Sequence, residues 1–187
     1  MGLSDVRRTD LGQGAWVEQI PGLVEGQDEV FETLVDGTRW KCERRRMYDR
    51  VLDVPRLTAS LPEDGPGHPV LDQVADELGI RYGWKLDRMS LAFYRDGRDS
   101  VAWHGDRLGG MTTDCVIAIL SLGSRRRLMM RPAVGGCARL FTLSGGDALI
   151  MGGRCQETWQ HCVPKVAVSG PRVAVVYRPS RVPAPAT

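Results

Sequence analysis

The feature that most limits what this chain can fold into is a change of rhythm after Ile80. From there the sequence breaks into short segments rich in Val, Ile, Leu and aromatic residues: 88–94, 100–104, 115–122, 127–131, 138–142, 147–151, 159–166 and 173–178. Turn residues separate them, among them Asp96-Gly97, Gly135-Gly136, Ser144-Gly145-Gly146-Asp147 and Gly152-Gly153. Many short strands at this spacing predict an antiparallel β-sandwich or barrel.

The first part of the chain reads differently. Residues 1–24 are a loose start with one short strand, Ala15 to Ile20. Residues 26–36 predict a helix with Val30, Phe31, Leu34 and Val35 on one face and Gly37 as its stop. A second helix is expected over about 69–78, with Pro69 at its start, Val70, Leu71, Val74 and Leu78 as the buried stripe, and Gly79 ending it. Between them, 38–63 is polar and basic with scattered aromatics and reads as short strands and loops. The expected fold class is mainly β (α+β): a double-stranded β-helix, or jelly-roll, core with two N-terminal helices packed on one sheet. One domain over 1–187 is expected, its Pro/Ala-rich tail 179–187 disordered.

Composition narrows the setting. No apolar run approaches the roughly 20 residues needed to span a membrane, and the N-terminus has no apolar signal core. The five cysteines, Cys42, Cys115, Cys137, Cys155 and Cys162, are odd in number and lack CxxC spacing. That argues against a disulfide framework or a zinc site and fits a reducing cytoplasm. Cys115 lies in an apolar run and is expected in the core. A net charge of +2 does not by itself identify a nucleic-acid partner.

Three histidines are present, His68, His104 and His161. His68, before the second helix, reads as a loop or capping residue. His104 and Asp106 form an HxD pair at the end of a strand, where alternate side chains point the same way. His161 lies on a later strand. Two imidazoles and one carboxylate on one face of an ion are the facial triad of non-haem Fe(II) oxygenases. Arg172 and Arg178 follow in an R-x5-R strand and share a face under period two. An arginine facing inward from a buried strand needs an anion, which a dicarboxylic cosubstrate supplies through bidentate hydrogen bonds. The alternative for Arg178, next to Pro179, is that it marks the strand's exposed end.

Taken together, Phe93-Tyr94-Arg95-Asp96-Gly97 running on to Trp103-His104-Gly105-Asp106, then Ile119-Leu120-Ser121-Leu122-Gly123, Gly146-Asp147-Ala148-Leu149-Ile150-Met151, His161-Cys162-Val163-Pro164-Lys165 and the R-x5-R strand resemble the AlkB family of nucleic-acid demethylases. The resemblance covers about 88–178 and reaches more faintly back to Val54-Pro55-Arg56-Leu57-Thr58-Ala59. It implies a jelly-roll catalytic core over 88–178, a nucleotide-recognition lid over about 38–63, and Fe(II), 2-oxoglutarate and O2 as cofactor and cosubstrates. By position it assigns iron to His104, Asp106 and His161, and 2-oxoglutarate to Tyr94, Arg172 and Arg178. It implies oxidative demethylation of 1-methyladenine and 3-methylcytosine in DNA or RNA, with release of formaldehyde, succinate and CO2. Such bases must be flipped out or single-stranded. Trp40, Tyr48 and Trp103 are candidate stacking walls, and Arg44, Arg45 and Arg46 candidate phosphate contacts, with Arg125-Arg126-Arg127 a second basic cluster. A monomer without membrane contact is expected.

Two positions depart from the family pattern. Ala92 and Ala174 stand where many members have asparagines near the cosubstrate. Two other readings therefore stay open: a hydroxylase of the same chemistry acting on a small molecule or protein, and a non-catalytic nucleic-acid-binding relative.

Overall fold

The computed structural model describes residues 5–47, 50–106 and 114–179; the side chains of 43–47 and 50–53 are outside that description. The expected disordered tail therefore falls outside the described residues from 180 onward.

The elements run β1 (Arg7–Gly12), β2 (Ala15–Ile20), α1 (Gln27–Gly37), β3 (Lys41–Met47), β4 (Arg50–Leu61), α2 (Pro69–Tyr82), β5 (Arg88–Tyr94) and β6 (Val101–His104). They continue with β7 (Ile117–Gly123), β8 (Arg126–Pro132), β9 (Arg139–Leu143), β10 (Ala148–Gly153), α3 (Cys155–Thr158), β11 (Trp159–Val163) and β12 (Arg172–Arg178). Eight strands form one sheet in the order β1-β2-β10-β7-β12-β5-β4-β3, and four form a second in the order β6-β11-β8-β9. All the recorded pairings are antiparallel. This is the expected mainly-β, two-sheet fold.

Two hydrophobic clusters divide the interior. Val30 and Leu34 of α1 and Leu71, Val74 and Leu78 of α2 pack with Leu120, Leu122, Val173, Val175 and Tyr177 on one face of the large sheet. Between the sheets, Ile117, Ile119, Leu128, Met130, Phe141, Leu149 and Trp159 form the second cluster. Strand alternation explains the division. Along β12, Val173, Val175 and Tyr177 join the helix-side cluster, while Ala174 joins the cluster between the sheets.

Three local expectations need correction. Gly79 does not end α2. The helix continues to Tyr82, and Gly83 caps it at φ 72. A side chain at position 79 would come within 2.8 Å of the Trp84 carbonyl, so this glycine answers a close approach inside the helix. The start of the chain carries a second strand, β1, which is exposed along most of its length and so lacks an apolar alternation. The 38–63 region contains a 12-residue strand, β4, paired with β3 as a hairpin at the sheet edge. His68 caps α2 as expected, its Nδ1 accepting the Val70 N–H at 3.2 Å. All five cysteines are free, and Cys115 is buried.

Candidate active site

His104 is the last residue of β6, and His161 sits in the middle of β11. The two are register partners across that antiparallel pair. Their rings lie 4.3 Å apart at 52°. Asp106 follows two residues after His104, and one ligand atom from each of the three residues lies within 4.8 Å of the others. Sequence and topology thus meet at one point: the HxD spacing brings two groups, and strand pairing brings the third.

The protonation pattern suits a cation. His104 Nδ1 lies 2.8 Å from the Ala102 carbonyl; a carbonyl can only accept, so Nδ1 carries the hydrogen and Nε2 keeps a free lone pair. Burial pushes the His161 imidazole down to about 4, against the opposing pull of Asp106, so its ring is neutral at pH 7. Burial alone would raise the Asp106 carboxyl, yet Arg178 and the two histidines outweigh it and hold it below the ordinary range. Asp106 Oδ1 accepts from Arg178 Nε at 3.2 Å and Nη2 at 2.5 Å. Asp106 Oδ2 is buried with no hydrogen-bond partner among the described residues and lies 3.8 Å from His161 Nε2. A buried, ionised, unpartnered oxygen beside two imidazole lone pairs is a donor set that fits Fe(II).

The triad opens into a cavity of about 320 Å³ between the sheets. Its walls include Tyr94, Ser90, Ala92, Ala174 and Arg178 from β5 and β12, and Lys41, Arg56, Thr58 and Ser60 from the β3–β4 hairpin. Arg172 is 1% exposed, and its Nε donates to Ser121 Oγ at 2.8 Å. Its guanidinium lies 5.3 Å from the Tyr94 ring centre, and its buried Nη1 has no partner among the described residues. Burial lowers this arginine to about 10. Tyr94 and Arg172 are cross-strand register partners. A buried cation with an unmet donor is a site for an anionic group. Arg178 turns inward and is not an exposed strand end: it is tied to Asp106 and donates to Ser90 Oγ at 2.6 Å.

The remaining sequence candidates divide. Trp40 does not line the cavity. It packs on Phe93 with ring centres 5.1 Å apart, and its Nε1 donates to the Val35 carbonyl at 3.1 Å. Trp103, next to His104 on a strand, points to the opposite face and lies under the Arg131 guanidinium at 4.4 Å. Arg44, Arg45 and Arg46 are on β3, paired with Asp53, Leu52 and Val51 of β4. Their side chains, and Tyr48 altogether, lie outside the described residues. The Arg125–Arg127 cluster is not one surface: Arg125 and Arg127 are exposed, but Arg126 is 3% exposed. Arg126 donates to the carbonyls of Asp96, Asp99 and Pro164 and so ties the β5–β6 loop to the end of β11.

Sequence reasoning gave no role to Arg56, Lys41 or Gln156. Arg56 lines the cavity with a buried Nε that has no partner among the described residues. Lys41 lines it too, bonded to the buried Asp64 at 2.7 Å. Gln156 is on α3 and accepts the Asp106 N–H at 2.9 Å.

The profile of the 2OG-Fe(II) oxygenase superfamily matches residues 29–180. The alpha-ketoglutarate-dependent dioxygenase alkB homolog 3 of Bos taurus is 34% identical over 182 residues, which cover 84% of this chain and 64% of that protein. Its Homo sapiens counterpart is 33% identical with the same coverage. The chain thus spans a little under two thirds of the length of these relatives. The DNA oxidative demethylase ALKBH2 of Arabidopsis thaliana is 25% identical over 214 residues, covering 90% of this chain and 68% of that one. Among solved structures, OsALKBH1 shares the fold with a TM-score of 0.63 at 12% identity, covering 92% of this chain and 100% of that chain.

Proposed function

Because this chain belongs to the 2OG-Fe(II) oxygenase superfamily, we propose that it is an AlkB-like dioxygenase that removes N-methyl groups from bases of DNA or RNA. The observation that carries the reading is the His104–Asp106–His161 cluster facing a cavity lined by Tyr94, whose ring lies 5.3 Å from the buried Arg172 guanidinium. His104, Asp106 and His161 would hold Fe(II), and Tyr94, Arg172 and Arg178 would hold 2-oxoglutarate. Bound there, the iron and its cosubstrates would supply the oxidation, with succinate, CO2 and formaldehyde as products.

The protein's share is placement. The two histidines present lone pairs, because Ala102 fixes one tautomer and burial keeps the other ring neutral. Arg178 pins one Asp106 oxygen and leaves the second aimed at the ion site. Arg172 would offer its unpartnered Nη1 to a carboxylate beside Tyr94. The β3–β4 hairpin would act as the lid over a flipped base, since Lys41, Arg56, Thr58 and Ser60 bring it to the cavity wall. The names of the relatives, alkB homolog 3 and a DNA oxidative demethylase, support a nucleic-acid substrate. By the family resemblance the bases would be 1-methyladenine and 3-methylcytosine.

A second reading, a relative without catalysis, is favoured by Ala92 and Ala174 alone, since both line the cavity without a polar group. One experiment tests both. The purified chain is supplied with Fe(II), ascorbate and 2-oxoglutarate, with and without a methylated single-stranded oligonucleotide. Succinate and formaldehyde stimulated by the methylated strand, and not by the plain one, are expected. Succinate without that stimulation would point to a small-molecule or protein substrate. No succinate from iron-loaded protein would leave the non-catalytic reading in its place.

A further inference from the structure

Asp106 lies beyond the end of β6, so no strand ladder holds it. Two contacts do. Arg178 grips its carboxylate from one side. Its backbone N–H goes to the side-chain oxygen of Gln156, at 2.9 Å. The orientation of the Gln156 amide is itself fixed, because its Nε2 points at the Met151 sulfur at 3.6 Å. Met151 is fully buried in β10. The turn between the two ligands is pressed onto the same segment: a side chain at Gly105 would meet the Gln156 carbonyl at 3.2 Å. α3 then leads straight into β11, which carries His161. One short segment therefore sets the third ligand and touches the turn that sets the other two.

We infer that Gln156 is a positioning residue for Asp106: its amide oxygen holds the Asp106 N–H and so aims the Asp106 carboxylate into the metal site. Without that acceptor, the Asp106 N–H loses its hydrogen bond to α3, and Arg178 alone orients the carboxylate by pulling on Oδ1. Groups that orient a ligand from behind typically change metal affinity by about 10–100-fold when removed. The inference rests on the metal reading of the triad and adds to it a residue that does not touch the ion.

The test is a Co(II) titration of the full chain, followed by the absorption of the bound ion, beside melting of the metal-free protein. Wild-type protein is titrated first; failure there would overturn the triad reading and not this one. Gln156→Leu keeps the size of the side chain and removes the acceptor. Its Co(II) affinity should fall about tenfold or more, with a changed Co(II) spectrum and an unaltered melting temperature without metal. Gln156→Glu keeps an acceptor oxygen and should restore most of the affinity and the spectrum. Unchanged Co(II) binding in Gln156→Leu would overturn the inference. So would a loss matched by an equal fall in metal-free stability, or Gln156→Glu as weak as Gln156→Leu. Should Gln156→Leu fail to fold, Gln156→Met is read by the same criteria.

Discussion

Ala92 and Ala174 face each other as register partners across β5 and β12, and both line the cavity. The two departures from the family's asparagine pattern are thus one feature of the wall. The row continues to Thr58 on β4 and Ser121 on β7. Ser121 is the residue that accepts from Arg172. The row keeps hydroxyls at Thr58 and Ser121, with the Arg172 guanidinium bonded to Ser121, and lacks two amides. Placing both amides back, as Ala92→Asn with Ala174→Asn, should tighten 2-oxoglutarate by about 30-fold, since two hydrogen bonds at about 1 kcal/mol each come to about 2 kcal/mol. The single variants should fall short of half that gain, because adjacent sites couple. Calorimetric titration of Mn(II)-loaded protein measures it; weaker binding in the double variant would show that the pocket is built for the alanines.

Arg172→Ala should separate cosubstrate from metal. Loss of a charged hydrogen-bonding group costs about 1.5–3 kcal/mol, or about 10–100-fold in 2-oxoglutarate affinity. Co(II) binding should change little, because Arg172 contacts Tyr94 and Ser121 and none of the triad. Equal losses in both titrations would move the carboxylate clamp elsewhere.

His104→Ala and Asp106→Asn should each abolish turnover and leave the far-ultraviolet circular dichroism unchanged. The asparagine is preferred to alanine at 106, because its amide oxygen keeps an acceptor for the Arg178 guanidinium. Full activity in either variant would remove the triad assignment.

The metal-free chain should lose stability as pH falls from about 6.5 to about 4 through His161. In that window the unfolded imidazole takes a proton that the buried one refuses, so acid favours unfolding; the sign is that of a lowered histidine. Asp106, also lowered, adds to the loss only further down. The His161 contribution is on the order of 3 kcal/mol. Urea melts at pH 7 and pH 4.5, wild type against His161→Gln, measure it. An equal pH response in the two proteins would show that His161 is not held neutral.

Arg126 and its neighbours should behave oppositely. Arg126→Met leaves three backbone carbonyls unmet in a buried place and should cost about 3 kcal/mol or more, read as a fall in melting temperature. Arg125→Ala and Arg127→Ala, both exposed, should fall within about 0.5 kcal/mol of wild type. An Arg126 variant that melts like wild type would return this arginine to the list of surface cations.

What the sequence determined by itself was whatever depends on near neighbours. The apolar alternation marked β2, β5 and β6–β12 to within a few residues, and the helical stripe marked α1 and the start of α2. HxD spacing put His104 and Asp106 together because they are only two residues apart, although the strand expected to carry both ends at His104. The end of α2 was missed because Gly79 answers Trp84, a contact made only after the chain turns back. β1 carries no apolar rhythm because it is an exposed edge. Strand alternation already set Trp103 on the face opposite His104, but tertiary structure alone decided that Trp40 belongs to the helix-side core and that Arg126 is buried among carbonyls while its neighbours are not. It also set His161 opposite His104, Ala174 opposite Ala92, and Gln156 behind Asp106. Each of these is a hydrogen bond or packing contact between segments far apart in the chain, and local periodicity carries no information about which distant partner a side chain will meet.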